Sequence, residues 1–115
     1  MTTDAEIEQQ IQDKRLTAPR VTPEHIESVI VGEYYFTAAQ GANTHGPIEP
    51  ADLASLQCLT ICVLVLKNGF TVSGESACAS PANFDWEIGK AVALRNAMSK
   101  IWPLEGYLLK SKLSA

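Results

Sequence analysis

The sequence predicts an α+β fold: a small three-stranded antiparallel sheet packed by a long, broken C-terminal helix and a short N-terminal helix. Three observations carry this. Leu59 to Ala79, LTICVLVLKNGFTVSGESACA, is two strand-like runs joined at Asn68-Gly69, and Asn-Gly between apolar, β-branched flanks is the strongest short-range hairpin signal. Phe84, Ile88, Ala91, Leu94, Met98 and Ile101 recur at three- and four-residue spacing, the pattern of an amphipathic helix of about five turns. Glu33 to Ala39, EYYFTAA, is aromatic and β-prone and supplies the third strand.

The elements follow in order. Residues 1–17 read as a polar arm or short helix with Ile7, Ile11 and Leu16 on one side, a stripe too thin to order strongly without a partner. Residues 18–115 form one domain, long enough for a single core. Thr22-Pro23 starts a helix as N-cap and first-turn proline; Ile26, Val29 and Ile30 are its buried side, and Gly32 its end. Residues 40–57, with two prolines and two glycines, read as a long loop holding at most one helical turn at 51–56. After the hairpin, Ser80-Pro81-Ala82-Asn83 stops the sheet, and Asn83 caps the long helix. Pro103 interrupts that helix after Trp102, and Leu104 to Leu113 restarts it.

A two-residue turn at Asn68-Gly69 makes residues whose numbers sum to about 137 face each other. Cys62 then opposes Glu75, Cys58 opposes Ala79 and Cys78 opposes Leu59. Leu59, Ile61, Val63 and Val65 share a face with Val72, Gly74 and Ser76, for the long helix to cover. The other face carries Cys58, Thr60, Cys62, Leu64 and Leu66 beside Thr71, Ser73, Glu75 and Ala77. The first strand is therefore apolar on both sides, so the second face needs a cover too: the N-terminal helix or a second subunit. A homo-oligomer is expected. No cysteine pair falls in bridging position, and all three read as reduced.

Charge excludes some partners. The net charge of −4 is uneven: residues 1–57 hold nine acids and three bases, and residues 84–115 hold five bases and three acids. Such a chain is a poor duplex nucleic-acid binder, though its basic C-terminal part suits one small anion. The polar N-terminus is unlike a signal peptide, and the longest apolar run is too short for a bilayer. The expected location is cytoplasmic.

No enzyme signature survives inspection. Gly74-Glu75-Ser76-Ala77-Cys78 brushes the G-x-S-x-G elbow but lacks the last glycine and the following helix. Both histidines, His25 and His45, also precede Ser76, against that fold's order. Two His and three Cys without C-x-x-C or paired-His spacing give no metal site. No phosphate-cradling glycine motif follows a strand, and no cofactor is implied. Glu75, mid-strand on a face expected to be covered, is either a carboxylate that reads a ligand's hydroxyl, amide or base edge, or a rim residue in a subunit salt bridge. The candidate ligand-binding set is Glu75, Ser76, Asn83, Arg95, Lys100, Trp102 and Tyr34. Trp and Tyr suit stacking on a planar ring, and Lys100 or Arg95 suits a phosphate.

KNGFTVSGESACASPANFDWEIG followed by KIWPLEGYLL, with the TPEHIE helix start and YYFTAA, resembles a family of small tailed-phage and prophage proteins. That family is named after gene product forty-nine of phage N-four and gene product sixty-six of phage S-f-six. The resemblance covers roughly residues 18–113, with a long version of the loop before the hairpin. It implies a phage or prophage origin and a bacterial cytoplasm, and carries over no reaction and no catalytic residue. The expected function is a non-enzymatic accessory protein of the counter-defence or host-takeover type, a homo-oligomer sequestering a small nucleotide-like host signal. The alternative is an interaction module that binds and inhibits a host protein.

Overall fold

The computed structural model describes residues 3–115. It contains α1 (Asp4–Asp13), α2 (Pro23–Ser28), β1 (Ile30–Thr37), α3 (Ala38–Asn43), α4 (Pro50–Gln57), β2 (Leu59–Leu66), β3 (Thr71–Ala77), α5 (Trp86–Ser99) and α6 (Ile101–Leu113). One antiparallel sheet in the order β1-β2-β3 is covered on one face by α5. The α+β class, the three strands, the broken C-terminal helix and the N-terminal helix all stand as the sequence predicts.

Local chemistry sets the helix ends. The Thr22 hydroxyl accepts from the His25 amide at 3.1 Å, with Pro23 in the first turn. The helix ends earlier than Gly32: Val29 is its C-cap and Ile30 already lies in β1. Gly32 belongs to that strand, beside a bulge at Val31. The strand in turn ends sooner than predicted, because Thr37 and Gln40 form a reciprocal capping box that turns Ala38-Ala39 into α3. The predicted loop therefore holds two short helices. The cap of α5 is Asp85, whose carboxylate accepts from Ile88 N at 3.0 Å; Asn83 ends a single 3-10 turn instead. The break between α5 and α6 falls at Lys100. Pro103 cannot donate to the carbonyl four residues back, so it is tolerated only in the first turn of a new helix.

The hairpin forms, but with a three-residue loop. Leu66 and Phe70 close it through Leu66 N to Phe70 O (2.9 Å), and Gly69 N donates to Leu66 O (2.8 Å). Only Gly69 takes positive φ (+88°); Asn68 does not, so the two-residue turn that needs both is not made. Asn68 Oδ1 instead accepts from Phe70 N. The pairing shifts by one residue: Cys62 faces Gly74, and Ile61 faces Glu75.

That shift exchanges the two faces of β2. Thr60, Cys62, Leu64 and Leu66 are the buried set, joined by Val72 and Gly74 beneath α5. The buried side of α5 is Gly89, Ala93 and Ala97, continued by Ile101, while Ile88 is 64% exposed. A Cβ on Gly74 would lie 2.2 Å from Ala97 N and 2.3 Å from Ala93 O, and one on Gly89 would lie 2.7 Å from Thr60 Oγ1. Small residues on both partners let the helix backbone rest almost on the sheet. Helix α1 lies beside α2 and α5 and so does not cover the other sheet face. There Leu59, Ile61, Val63 and Val65 stay only partly buried, bordered at Phe36 by α3. The molecule is only 18 Å across its shortest dimension, the thickness of two layers.

Two outcomes test this packing. Gly74→Ala must push α5 away and is expected to cost about 3 kcal/mol in urea unfolding; an unchanged midpoint contradicts the close approach. The buried Thr60 hydroxyl has no hydrogen-bond partner among the described residues. Thr60→Val is therefore expected to raise stability by about 1 kcal/mol.

Candidate functional site

Two places in the fold gather the chemistry that the sequence singles out, on opposite sides of the sheet. The first is the open sheet face. Tyr34, 62% exposed, lies with its ring edge over Gly32 and faces Val63 across the strands. Glu75 is exposed on β3 and forms no ion pair among the described residues. Its backbone carbonyl accepts from Asn96 Nδ2 at 2.8 Å, which ties the free edge of β3 to α5.

The second is a groove of about 1010 Å³ between α1, α2 and α5. Ile7 and Ile11 form one wall, and Val21, Leu94, Met98 and Trp102 the others; Arg95 and Asn96 stand on the α5 side. Helix α1 has no buried residue, and its Ile7 is 44% exposed. A bidentate pair holds it: Arg20 donates to both Glu8 oxygens, at 2.5 and 2.6 Å. The Arg20 hydrogen bonds, aided by Gln12, pull the Glu8 pKa down to about 2. The helix closes without glycine, since Arg15 adopts φ 56° and the amides of Arg15 and Leu16 donate to Gln12 O and Ile11 O.

Arg95 and Trp102 thus share the groove, as a ring-and-anion site requires. The other expected residues lie elsewhere. Glu75 and Tyr34 are on the open face. Ser76 points to the helix face opposite Thr60, Asn83 is exposed after β3, and Lys100 is exposed at the α5–α6 junction. The seven do not form one pocket.

A cluster that the sequence analysis missed sits between β1 and α5. Lys90 Nζ lies 5.8 Å from the Tyr35 ring centre and 5.5 Å from that of Trp86. The Tyr35 hydroxyl donates to Glu33 at 3.0 Å. Burial above all, and then the Glu33 hydrogen bond, push the Tyr35 phenol far up, and burial likewise raises Cys62. Neither group is a ready nucleophile or base near neutrality. The i, i+4 spacing of Trp86 and Lys90 was the available signal; the cross-sheet neighbour Tyr35 was not. Among the described residues no group of His, Cys, Asp and Glu can hold a metal ion, and no helix is long and apolar enough to cross a membrane.

The model of the Phage protein (N4 Gp49/phage Sf6 gene 66) family matches residues 21–113, which leaves α1 outside the match. No curated protein and no solved structure matches this chain.

The tether of α1 gives a pH dependence. Glu8 has a folded pKa of about 2 against an ordinary carboxylate value of 4.5, so its contribution is complete above about 4.5 and is lost as pH falls towards 2. The protection factors of residues 4–13, exchange rates measured against the intrinsic rate at each pH, are expected to fall over that interval before the sheet opens, and Arg20→Ala to lower them already at neutral pH. Equal protection of α1 in that variant contradicts the tether.

Proposed function

The chain belongs to the N4 Gp49/phage Sf6 gene 66 family of phage proteins, and from that premise we propose a non-enzymatic accessory protein of the counter-defence or host-takeover type. It acts in the bacterial cytoplasm as a homo-oligomer and sequesters a small nucleotide-like host signal in the groove under α1. The observation that carries this reading is the meeting of Arg95 and Trp102 in that groove. Among the described residues Arg95 has no ion-pair partner, which leaves its guanidinium free for an anion, and an indole offers a flat face to a heterocycle.

Charge narrows the ligand. Asp4, Glu8 and Glu27 also line the groove; Glu8 is neutralised by Arg20, and the other two repel a polyanion. The geometry therefore favours a ring-bearing ligand with one phosphate-like charge over a nucleoside triphosphate. Glu75 and Tyr34 lie outside this groove and take no part in the binding step.

One observation favours the alternative, an interaction module for a host protein. The groove has apolar walls from α1, α2, α5 and α6, and among the described residues one ion pair holds α1 across it. An amphipathic helix of a host enzyme fits such a slot.

Native mass spectrometry of protein purified from signal-producing bacteria separates the two. The expected result is a stoichiometric nucleotide-sized mass, released on heating, with affinity reduced about tenfold or more in Arg95→Ala and in Trp102→Ala. An apo protein that instead captures one host protein, with capture lost in Ile7→Lys, replaces the sequestering reading by the alternative.

A further inference from the structure

We infer that the open face of the sheet is a self-association surface, closed by a second copy of this chain stacked face to face about a two-fold axis parallel to β2. The inference rests on the oligomeric part of the proposed function and needs nothing from the groove.

The central strand demands a cover. Leu59, Ile61, Val63 and Val65 are a continuous aliphatic row on the side away from α5, only partly buried in the single chain. A strand that faces water alternates apolar with polar; this one is apolar on both sides. Three strands about 4.8 Å apart and eight residues of about 3.3 Å make a slab of roughly 14 by 26 Å. With side-chain corrugation and the α3 rim at Phe36, a stacked pair buries on the order of 1,000 Å², the lower bound of a specific interface.

The edges favour stacking over strand addition. On β3 the Glu75 carbonyl, which points away from β2, is already taken by Asn96. On β1 the bulge at Val31 breaks the ladder at one end. A second sheet adds more readily on the face than at either edge.

Charge selects the axis. Glu75 is the one ionisable carboxylate among the outward residues of β2 and β3. An axis running across the strands sets β3 on β3 and, where it crosses near the Glu75 row, brings two Glu75 carboxylates together. An axis along β2 sets β1 of one copy over β3 of the other and parts the two acids by the sheet width. Tyr34, Val63 and Ser73 form one cross-strand row, and Phe36, Ile61 and Glu75 the next. The second copy's Tyr34 then lies over Ser73, one row of about 7 Å from Glu75, within reach of its phenol. Each acid receives an O–H donor and each exposed ring is covered. The pairing is self-complementary, as a two-fold interface requires.

Sedimentation equilibrium of the full chain tests this. The wild type is expected to be a dimer at micromolar concentration. Val63→Lys, next to the axis, and Ser73→Arg, under the second copy's Tyr34, are each expected to raise the dimer dissociation constant about a hundredfold or more. Ser73 is a half-exposed edge position, so its variant reports association even where Val63→Lys unfolds. Ile88→Lys, on the outer side of α5, is expected to leave the dimer intact. A wild-type monomer at these concentrations, or a dimer that survives both face variants, overturns the inference. A ligand retained by a monomeric Ser73→Arg leaves the groove reading standing; a ligand absent from an intact dimer removes that reading alone.

Discussion

The close contact of Gly74 with the backbone of Ala93 and Ala97 governs the rest of the structure, because it decides which side of the sheet is inside. A strand can present either set of alternate residues to a helix, and here the set is fixed by where the helix can come nearest. Gly74 is the point on β3 at which no Cβ intervenes, and the alanines of α5 meet it there. Once Gly74 faces α5, its neighbour Cys62 must do so too, and with it Thr60, Leu64 and Leu66. The aliphatic residues between them are turned outward. An apolar outer face is thus the consequence of a helix packed through small side chains.

The same packing gives α5 two roles. Its inner side carries glycine and alanine, so its larger residues fall elsewhere: Leu94 and Met98 towards α1 and α2, where Trp102 of α6 joins them, and Trp86 with Lys90 towards Tyr35. A thin contact with the sheet leaves the bulky side chains of α5 and α6 free to build a groove. Arg95 and Asn96 sit on the same flank, one without an ion-pair partner among the described residues and the other bonded to the edge of β3. The groove and the open face are consequently joined through α5 and β3, though they lie on opposite sides of the sheet.

Much of this fold is legible in the sequence because its signals are local. Thr22-Pro23, the aromatic first strand, the Asn-Gly hairpin and Pro103 each act within a few residues. The register is not local. A loop of two or three residues at Lys67-Asn68-Gly69 depends on whether Asn68 takes positive φ, and the strand composition is apolar under either choice. The apolar spacing of α5 misleads for a related reason: periodicity marks large residues, whereas the buried stripe is made of Gly89, Ala93 and Ala97. Of the candidate residues, Arg95 of α5 and Trp102 of α6 come together because the break at Lys100 leaves both helices lining the same groove. Glu75 and Tyr34 share a face with each other but not with them, and the stand-off of α1 depends on Glu8 and Arg20, twelve positions apart.

The core, the groove and the open face all turn on which face of β2 meets α5, and proton NMR contacts at Gly74 report it most directly. The account predicts nuclear Overhauser effects from the Gly74 α-protons to Ala93 and Ala97, with Leu64 and Cys62 near the same alanines. Contacts from Val63 or Val65 to Ala93 and Ala97 would mean the alternative register, with the aliphatic row inside and no open face to fill.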